Sequence, residues 1–282
     1  MVYEIGRGDL RVQINDHGAE IVSVRYRGEE RSWQNENGSW AGHAPVLFPV
    51  CGHCGVTVDG VRYAMPPHGF ARKSEFSCAA QSENTVSFVL QDSERTLAVY
   101  PFRFALTVTY TVDNDTVTID TAVRNRGDRT LYFSLGGHDS FALSGDLENY
   151  SLRFEKEETF DALEHDEGGY CTGNTLPFGK GTLLRLPADF LQEGRTLILP
   201  RVRSRKVRLC NEAGRANSEI SFAGFAHLLL WRPHGANMIC IEPWLNLPDR
   251  AGEEGGDLSE KEDMQAVRAG QTAAFTRSIR YF

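Results

Sequence analysis

The strongest constraint on the fold is an alternation of β-branched or aromatic residues with polar ones between residues 75 and 123. Residues 102–112 show it most clearly, because apolar side chains recur there at every second position. A period of two places successive side chains on opposite faces of a strand, as in a half-buried sheet. No stretch of ten residues shows a competing helical period. The pattern therefore predicts an all-β protein.

Turn signals divide the chain into hairpins. Residues 10–26 alternate on both sides of a turn at 16–18, and residues 56–63 form a short hairpin around Asp59 and Gly60. Asp-Gly is a strong signal for a two-residue hairpin turn. The chain has 282 residues and no internal repeat, linker or low-complexity segment, and β-sandwiches of this size commonly form one unit. We therefore expect a single domain spanning residues 1–282.

Charge and cysteine content limit the classes of partner. A formal net charge of −8 argues against nucleic acid and anionic membranes, because both need a basic face. No apolar run has the length of a membrane span, and the N-terminus lacks the hydrophobic segment of a signal peptide. The six cysteines are scattered, as reduced thiols are. These features predict a cytoplasmic protein, a monomer or weak homodimer, with a small neutral ligand.

Two residues carry candidate acid–base chemistry. His138 follows a glycine pair at the end of an apolar, aromatic run, and Glu242 is the single carboxylate in the apolar run 237–244. A histidine and a carboxylate are the minimum set for general acid–base catalysis. Taken singly, each is more simply interpreted as a structural residue, because most buried polar groups are only hydrogen-bonded.

A stiff loop and a cysteine pair offer two further candidate sites. In residues 66–72, two prolines precede His68, Gly69 permits an unusual backbone angle, and Arg72 follows, an arrangement suited to holding a ligand. Cys51 and Cys54 have a spacing that can chelate zinc. A closed zinc site needs two more ligands, and no second pair at metal spacing is present, so we predict no metal site.

Together these motifs resemble the aldose 1-epimerase (galactose mutarotase-like) family, especially its bacterial branch of uncharacterised members. The matching segments are residues 44–52, 68–72, 133–138 and 240–244, in the family's order, with a final strand near 275–281. The resemblance spans essentially the whole chain. It implies a large antiparallel β-sandwich and an enzyme that interconverts the α and β anomers of a free hexose without metal or cofactor.

The resemblance also assigns roles to residues. Glu242 falls on the family's general base and His138 on its general acid, while His68 falls on a histidine that contacts the sugar. Mutarotation removes the proton of the anomeric hydroxyl and delivers one to the ring oxygen, so the ring opens and can reclose in the other configuration. We therefore expect Glu242 and His138 on opposite sides of one sugar, about a sugar's width apart.

Substrate binding is expected to involve further residues of these motifs. Arg72 resembles a binding residue of the hexose-6-phosphate branch, and Trp244 and Trp231 are candidates for stacking on the sugar. His53 stands where relatives commonly have a sugar-binding arginine, and it lacks the guanidinium fork.

Two other departures concern activity and phosphate. By the resemblance, Ala41 stands where the sugar-phosphate enzymes have an arginine, and Asp139 follows His138 where relatives often have proline. Two alternatives to a free-hexose epimerase therefore stay open. One is a carbohydrate-binding or sensing protein without turnover, and the other is a hexose-6-phosphate 1-epimerase.

Overall fold

A computed structural model describes residues 1–282, almost all of whose regular structure is β-strand. The strands are β1 (Val2–Arg7), β2 (Leu10–Asn15), β3 (Glu20–Tyr26), β4 (Glu29–Glu30), β5 (Val46–Leu47), β6 (Val56–Val58), β7 (Val61–Tyr63), β8 (Ser77–Gln81), β9 (Thr85–Gln91), β10 (Phe104–Asp113), β11 (Thr116–Asn125), β12 (Leu131–Phe133), β13 (Gly136–Gly137), β14 (Asp139–Ala142), β15 (Ser151–His165), β16 (Cys171–Arg185), β17 (Leu197–Leu199), β18 (Lys206–Cys210), β19 (Ala216–Ser221), β20 (His227–Trp231), β21 (Met238–Trp244), β22 (Gln265–Val267) and β23 (Thr272–Tyr281). The helical segments are α1 (Glu94–Leu97), α2 (Ala188–Gln192) and the 3₁₀ turns Ala71–Lys73 and Leu147–Asn149. None of them has the length and apolarity that crossing a membrane requires.

One long antiparallel sheet contains most of the strands. Its order is β5-β13-β21-β20-β17-β15-β18-β19-β23-β11-β10-β9-β8, with β14 also paired to β21 and β16 to β15. Strands β1 to β4 form a separate four-stranded sheet that packs on β9 and β10. Two two-stranded sheets, β12-β22 and β6-β7, complete the fold. The prediction of an all-β protein with large antiparallel sheets is confirmed.

The main core explains how so long a sheet is stabilised. A single cluster of 61 buried residues takes side chains from Ile5 near one end of the chain to Tyr281 at the other. It includes residues of β9 and of β21, which lie near opposite ends of the long sheet. The sheet must therefore curve around one shared core, which buries the apolar phase of each alternating strand.

Local turn chemistry behaves as the sequence predicts. The 10–26 hairpin forms as β2 and β3, and the 56–63 hairpin forms as β6 and β7. Asp59 and Gly60 have φ of 51° and 76°, which is the conformation of a type I′ turn. Glu158 on β15 differs from its exposed charged neighbours at positions 155–157. That side chain is buried and accepts hydrogen bonds from the backbone and hydroxyl of Ser204.

The loop that carries His68 is fastened to the core by its backbone. The amide of His68 donates to the carbonyl of Gly52 at 2.9 Å, and the amide of Phe70 donates to the carbonyl of Phe48 at 3.0 Å. His68 itself has a φ of 66°, a strained value for a residue with a side chain. Gly69 has a φ of 71°, and a Cβ atom there would overlap the carbonyl of Phe48. Position 69 therefore requires glycine for two reasons, its positive φ and the lack of space for a Cβ atom.

We predict that Gly69→Ala lowers the free energy of unfolding by at least about 3 kcal/mol, because it combines backbone strain with a clash against a fixed carbonyl. Gly28→Ala is the matched control, since Gly28 has a φ of 82° but open space around its Cβ position, and it should cost only about 1 kcal/mol. Urea unfolding of both variants measures the difference. Equal losses of unfolding free energy in the two variants would show that the close contact with the Phe48 carbonyl does not hold this loop in place.

Candidate active site

Strand β21 has two faces with different environments. Ile239 and Ile241 point into the main core. On the other face, Cys240 belongs to one small apolar cluster and Trp244 to another. Because side chains alternate along a strand, Glu242 lies on this second face, between the two clusters. It is 1% exposed.

The glycine pair before His138 is explained by close packing. A Cβ at Gly136 would come within 2.8 Å of Trp244 Cδ1 and 2.9 Å of Cys51 Sγ. A Cβ at Gly137 would collide with the guanidinium of Arg277. Both positions therefore need a residue without a side chain so that β13 can lie flat against its neighbours.

His138 and Glu242 are in direct contact, which corrects the expected separation of a sugar's width. Nε2 of His138 lies 3.4 Å from Oε2 of Glu242. The reason is strand register, since Gly136 is opposite Trp244 and Asp139 is opposite Ile241. This register places His138 opposite Glu242, and cross-strand neighbours have Cβ atoms only about 5 Å apart. A pyranose ring cannot lie between them.

Aromatic rings enclose the histidine. Trp40 stacks on His138 with ring centroids 5.1 Å apart and planes inclined by 29°. Trp231 and His68 each meet the ring edge-on at 5.6 Å. Sequence reasoning did not select Trp40, although a tryptophan that follows a polar, Gly/Asn-rich loop and precedes the 44–52 motif was an available signal. Its carbonyl accepts a hydrogen bond from Trp33 Nε1 at 2.9 Å.

Burial determines the protonation of this group. It raises the pKa of Glu242 well above its ordinary value and lowers the pKa of His138 to about 3. Burial also lowers the pKa of His68, with the nearby charge of His138 acting in the same direction. Both members of the His138–Glu242 pair thus resist carrying a charge, because the surroundings are dry and apolar. Between the lowered pKa of His138 and the raised pKa of Glu242, the pair holds one proton between its two members.

A cavity of about 510 Å³ lies beside the pair, a size typical of small-molecule sites. His68, His53 and Trp244 line it, together with Leu229. Leu229 is directly opposite Glu242 in the β20–β21 register, so the carboxyl group adjoins the inner wall of the cavity. Three of the predicted binding residues therefore share one cavity next to the predicted acid–base pair.

The outer rim of the cavity is acidic. Asp166, Glu167 and Glu193 line it, and the one guanidinium there, that of Arg195, is hydrogen-bonded to Glu193 through Nε at 2.7 Å. His53 lies against Tyr170 with ring centroids 5.3 Å apart. Burial lowers the pKa of His53, so this ring is neutral near pH 7. The rim consequently offers no unpaired positive charge.

His68 and Arg72 differ in what they can reach. Nδ1 of His68 accepts a hydrogen bond from the amide of Gly52 at 3.1 Å, which leaves Nε2 as the protonated nitrogen of a neutral ring. Arg72 does not line the cavity. Its Nη2 donates to the carbonyl of Pro67 at 3.2 Å, and burial lowers its pKa. Arg72 therefore supports the His68 loop from outside the cavity, and its charge lies close enough to the pair to help lower the pKa of His138.

A buried ion pair lies directly behind His138. Arg277 Nη2 is 2.9 Å from Asp139 Oδ1, and both side chains are at most 5% exposed. Arg277 also covers Gly137. Asp139, which departs from the proline common in relatives, is thus held by a charge from β23. The pair links the segment that carries His138 to β23, which is distant from it in the strand order of the long sheet.

The chain is similar to known proteins over nearly its whole length. A model of the aldose 1-epimerase family matches residues 1–250. The chromosomal protein LacX of Lactococcus lactis subsp. lactis is 28% identical, over 95% of this chain and 95% of its own. The solved structure of a galactose mutarotase related enzyme from Lactobacillus acidophilus is 30% identical and covers 100% of this chain and 97% of its own, with a TM-score of 0.92. A galactose mutarotase-like protein from Lactobacillus casei is 25% identical with a TM-score of 0.93, and the match covers 100% of both chains.

We predict that Arg277→Leu lowers the free energy of unfolding by about 3 to 5 kcal/mol, because it leaves the Asp139 carboxyl buried without a partner. Arg280→Leu is the matched control on the same strand. Arg280 pairs with Asp115 at 2.9 Å, but its side chain is 52% exposed, so its loss should cost less than about 1 kcal/mol. Urea unfolding compares the two variants, and similar losses would show that the buried pair does not support this segment.

Proposed function

Because the chain belongs to the aldose 1-epimerase family, we propose that it is an isomerase that interconverts the α and β anomers of a free hexose or a closely related sugar. The observation that carries the proposal is the buried His138–Glu242 pair, in contact at 3.4 Å and adjoining the 510 Å³ cavity. A pair that shares one proton is suited to a reaction that removes one proton and supplies another.

The side-by-side geometry suggests how the reaction runs. The anomeric hydroxyl oxygen and the ring oxygen of a pyranose are bonded to the same carbon, so they lie next to each other at one edge of the sugar. Glu242 takes the proton of the anomeric hydroxyl while His138 gives its proton to the ring oxygen, and the bond between C1 and the ring oxygen breaks. The aldehyde rotates, and the reverse transfers close the ring in the other configuration. No net proton is gained or lost.

The same pair can act with its roles exchanged. Burial favours the uncharged arrangement, in which Glu242 is a carboxylic acid and His138 is a neutral imidazole. From that arrangement, His138 takes the proton of the anomeric hydroxyl and Glu242 donates its own proton to the ring oxygen. Because ring closure reverses the two proton transfers of ring opening, the open-chain intermediate holds the pair in the other arrangement, and each complete turnover returns the pair to the arrangement from which it began.

The remaining site residues are proposed to bind the sugar. His68 offers its Nε2 hydrogen to the reacting end, while His53 and Trp244 contact the sugar along the cavity. Trp40 covers His138, whose side chain is only 10% exposed. Access of the sugar to the pair therefore requires Trp40 to leave its stacked position. Its indole would then be free to stack on the sugar's apolar face.

The charge of the cavity favours an unphosphorylated substrate. Its rim carries Asp166, Glu167 and Glu193, and the Arg195 guanidinium is already paired. A phosphate would be repelled by these carboxylates. Arg72 is turned toward Pro67 outside the cavity. The hexose-6-phosphate alternative is thereby disfavoured.

A sugar-binding protein without turnover is the second candidate, and one observation favours it. His138 and Glu242 touch each other under a tryptophan, and His53 replaces the arginine expected at the cavity. Exchange NMR with α-glucose, α-galactose and other aldoses separates the two. Catalysed anomer exchange supports the epimerase. A sugar that binds by calorimetry while exchange stays at the buffer rate supports the binder.

We predict that Glu242→Gln lowers the rate of anomer exchange by about two to four powers of ten with little loss of sugar binding, because it keeps the shape but removes one proton-transfer group. Glu158→Gln removes another buried carboxylate, hydrogen-bonded to Ser204, and should leave the rate of the folded protein unchanged. Polarimetry measures the rate of anomer exchange, and calorimetry measures sugar binding. An unchanged rate in Glu242→Gln would remove this residue from the mechanism.

The pH dependence follows from the pKa shifts. A second proton enters the pair only when His138 titrates, at a pKa lowered to about 3, and the shared proton leaves only above the raised pKa of Glu242. We therefore predict that kcat/KM shows no acid limb at about pH 6.5, where an ordinary histidine would give one, because the pKa of His138 is lowered to about 3. Exchange NMR extrapolated to zero buffer concentration tests this. An acid limb centred near about 6.5 would contradict it.

A further inference from the structure

Three residues with metal-binding side chains meet at the acid–base pair. The ligand atoms of His138, Cys240 and Glu242 all lie within 4.8 Å of one another, and all three residues are buried. From this cluster we propose that the protein has an inhibitory site for a thiophilic divalent metal ion such as Zn²⁺. The bound ion would occupy the His138–Glu242 pair and stop proton transfer. Its existence does not depend on the proposed reaction.

The strand geometry supplies this cluster. Cys240 and Glu242 are two positions apart on β21, so their side chains lie on the same face. His138 is opposite Glu242 on the neighbouring strand segment. The distance of 3.4 Å between Nε2 of His138 and Oε2 of Glu242 matches the distance between two ligand atoms on one tetrahedral ion whose bonds are about 2.0 to 2.1 Å long. The three ligand atoms lie within 4.8 Å of one another. A small rotation of the Cys240 side chain would therefore bring its sulfur to the zinc–thiolate bond length of about 2.3 Å.

Charge balance makes burial of the ion feasible. A thiolate, a carboxylate and a neutral imidazole around a divalent cation form an uncharged unit. An uncharged unit avoids the cost of burying an isolated charge among the tryptophans and aliphatic residues of this face. Binding releases the Cys240 thiol proton and the proton that His138 and Glu242 share, and no oxidation or reduction occurs. Three protein ligands leave a fourth position for water.

The chemistry of the three ligands sets the metal preference. A thiolate and an imidazole favour Zn²⁺ and Co²⁺, while Mg²⁺ and Ca²⁺ prefer sites made entirely of oxygen atoms. The Cys51 and Cys54 pair that the sequence suggested for zinc is less suitable. Cys51 Sγ lies 3.6 Å from the Ser134 hydroxyl, and Cys54 Sγ is directed at the carbonyl of Gly55 at 3.8 Å. No third metal-binding side chain joins those two thiols.

Titration of chelator-treated protein with Co²⁺ at fixed pH tests the site directly, because a cobalt–thiolate bond absorbs in the near ultraviolet. We expect one equivalent to produce this band in the wild-type protein and Zn²⁺ to abolish it. Cys240→Ser and Cys240→Ala should both lack the band, while the control Cys54→Ser should keep it. Circular dichroism and thermal unfolding verify that the variants are folded. Absence of the band in the wild type, or its loss only in Cys54→Ser, would overturn the proposal.

Mutarotation provides a second measurement. Zn²⁺ should inhibit the wild-type protein, whereas Mg²⁺ at the same concentration should not. In Cys240→Ala, inhibition should need at least about tenfold more Zn²⁺, with the metal-free rate unchanged, since Cys240 has no part in proton transfer. If the protein proves to have no epimerase activity, the cobalt band still decides the metal site. An active enzyme inhibited equally in both forms would show that zinc acts elsewhere.

Discussion

The arrangement of the candidate site depends on one pairing, that of residues 136–142 with strand β21. This register sets His138 against Glu242 and determines what the surroundings must be. Gly136 and Gly137 are needed because Trp244, Cys51 and Arg277 occupy the space where side chains would lie. The Asp139–Arg277 pair then anchors the segment from behind. A shift of one residue would turn the histidine to the opposite face of the sheet and separate it from the carboxyl group.

Direct contact between His138 and Glu242 determines how the proposed acid–base catalysis would work. Two groups on opposite sides of a sugar would titrate almost independently, and each would need a pKa suited to its own role. Two groups in contact share a proton, so the property that matters is the proton content of the pair. Burial would serve the proposed reaction, because it disfavours both the gain of a second proton and the loss of the shared one. The anomeric hydroxyl and the ring oxygen are close enough together for such a pair to serve both.

The same enclosure has two further consequences. The aromatic rings that keep His138 dry also cover it, so the cavity lined by His68 and Trp244 lies beside the pair, but neither His138 nor Glu242 lines it. The acidic residues at its rim disfavour negatively charged ligands. In addition, β21 places a thiol on the face that carries Glu242, and this combination of soft and hard ligands attracts thiophilic metals. In the proposed metal site, the ion would bind the same His138 and Glu242 atoms that the proposed proton transfer uses, so the two processes would exclude each other.

The sequence by itself determined the all-β class, the hairpins around residues 16–18 and Asp59–Gly60, and the candidates His138, Glu242, His68, His53 and Trp244. These predictions rest on local information, namely a period of two, turn chemistry and short motifs. Only the tertiary structure decided the contact of 3.4 Å between His138 and Glu242, the position of Arg72 outside the cavity, the burial of Glu158 and the presence of Trp40 over the histidine. Each of these depends on which distant strands become neighbours and in what register. Pairing between segments about a hundred residues apart is fixed by the shape of the whole core, and no local pattern encodes it.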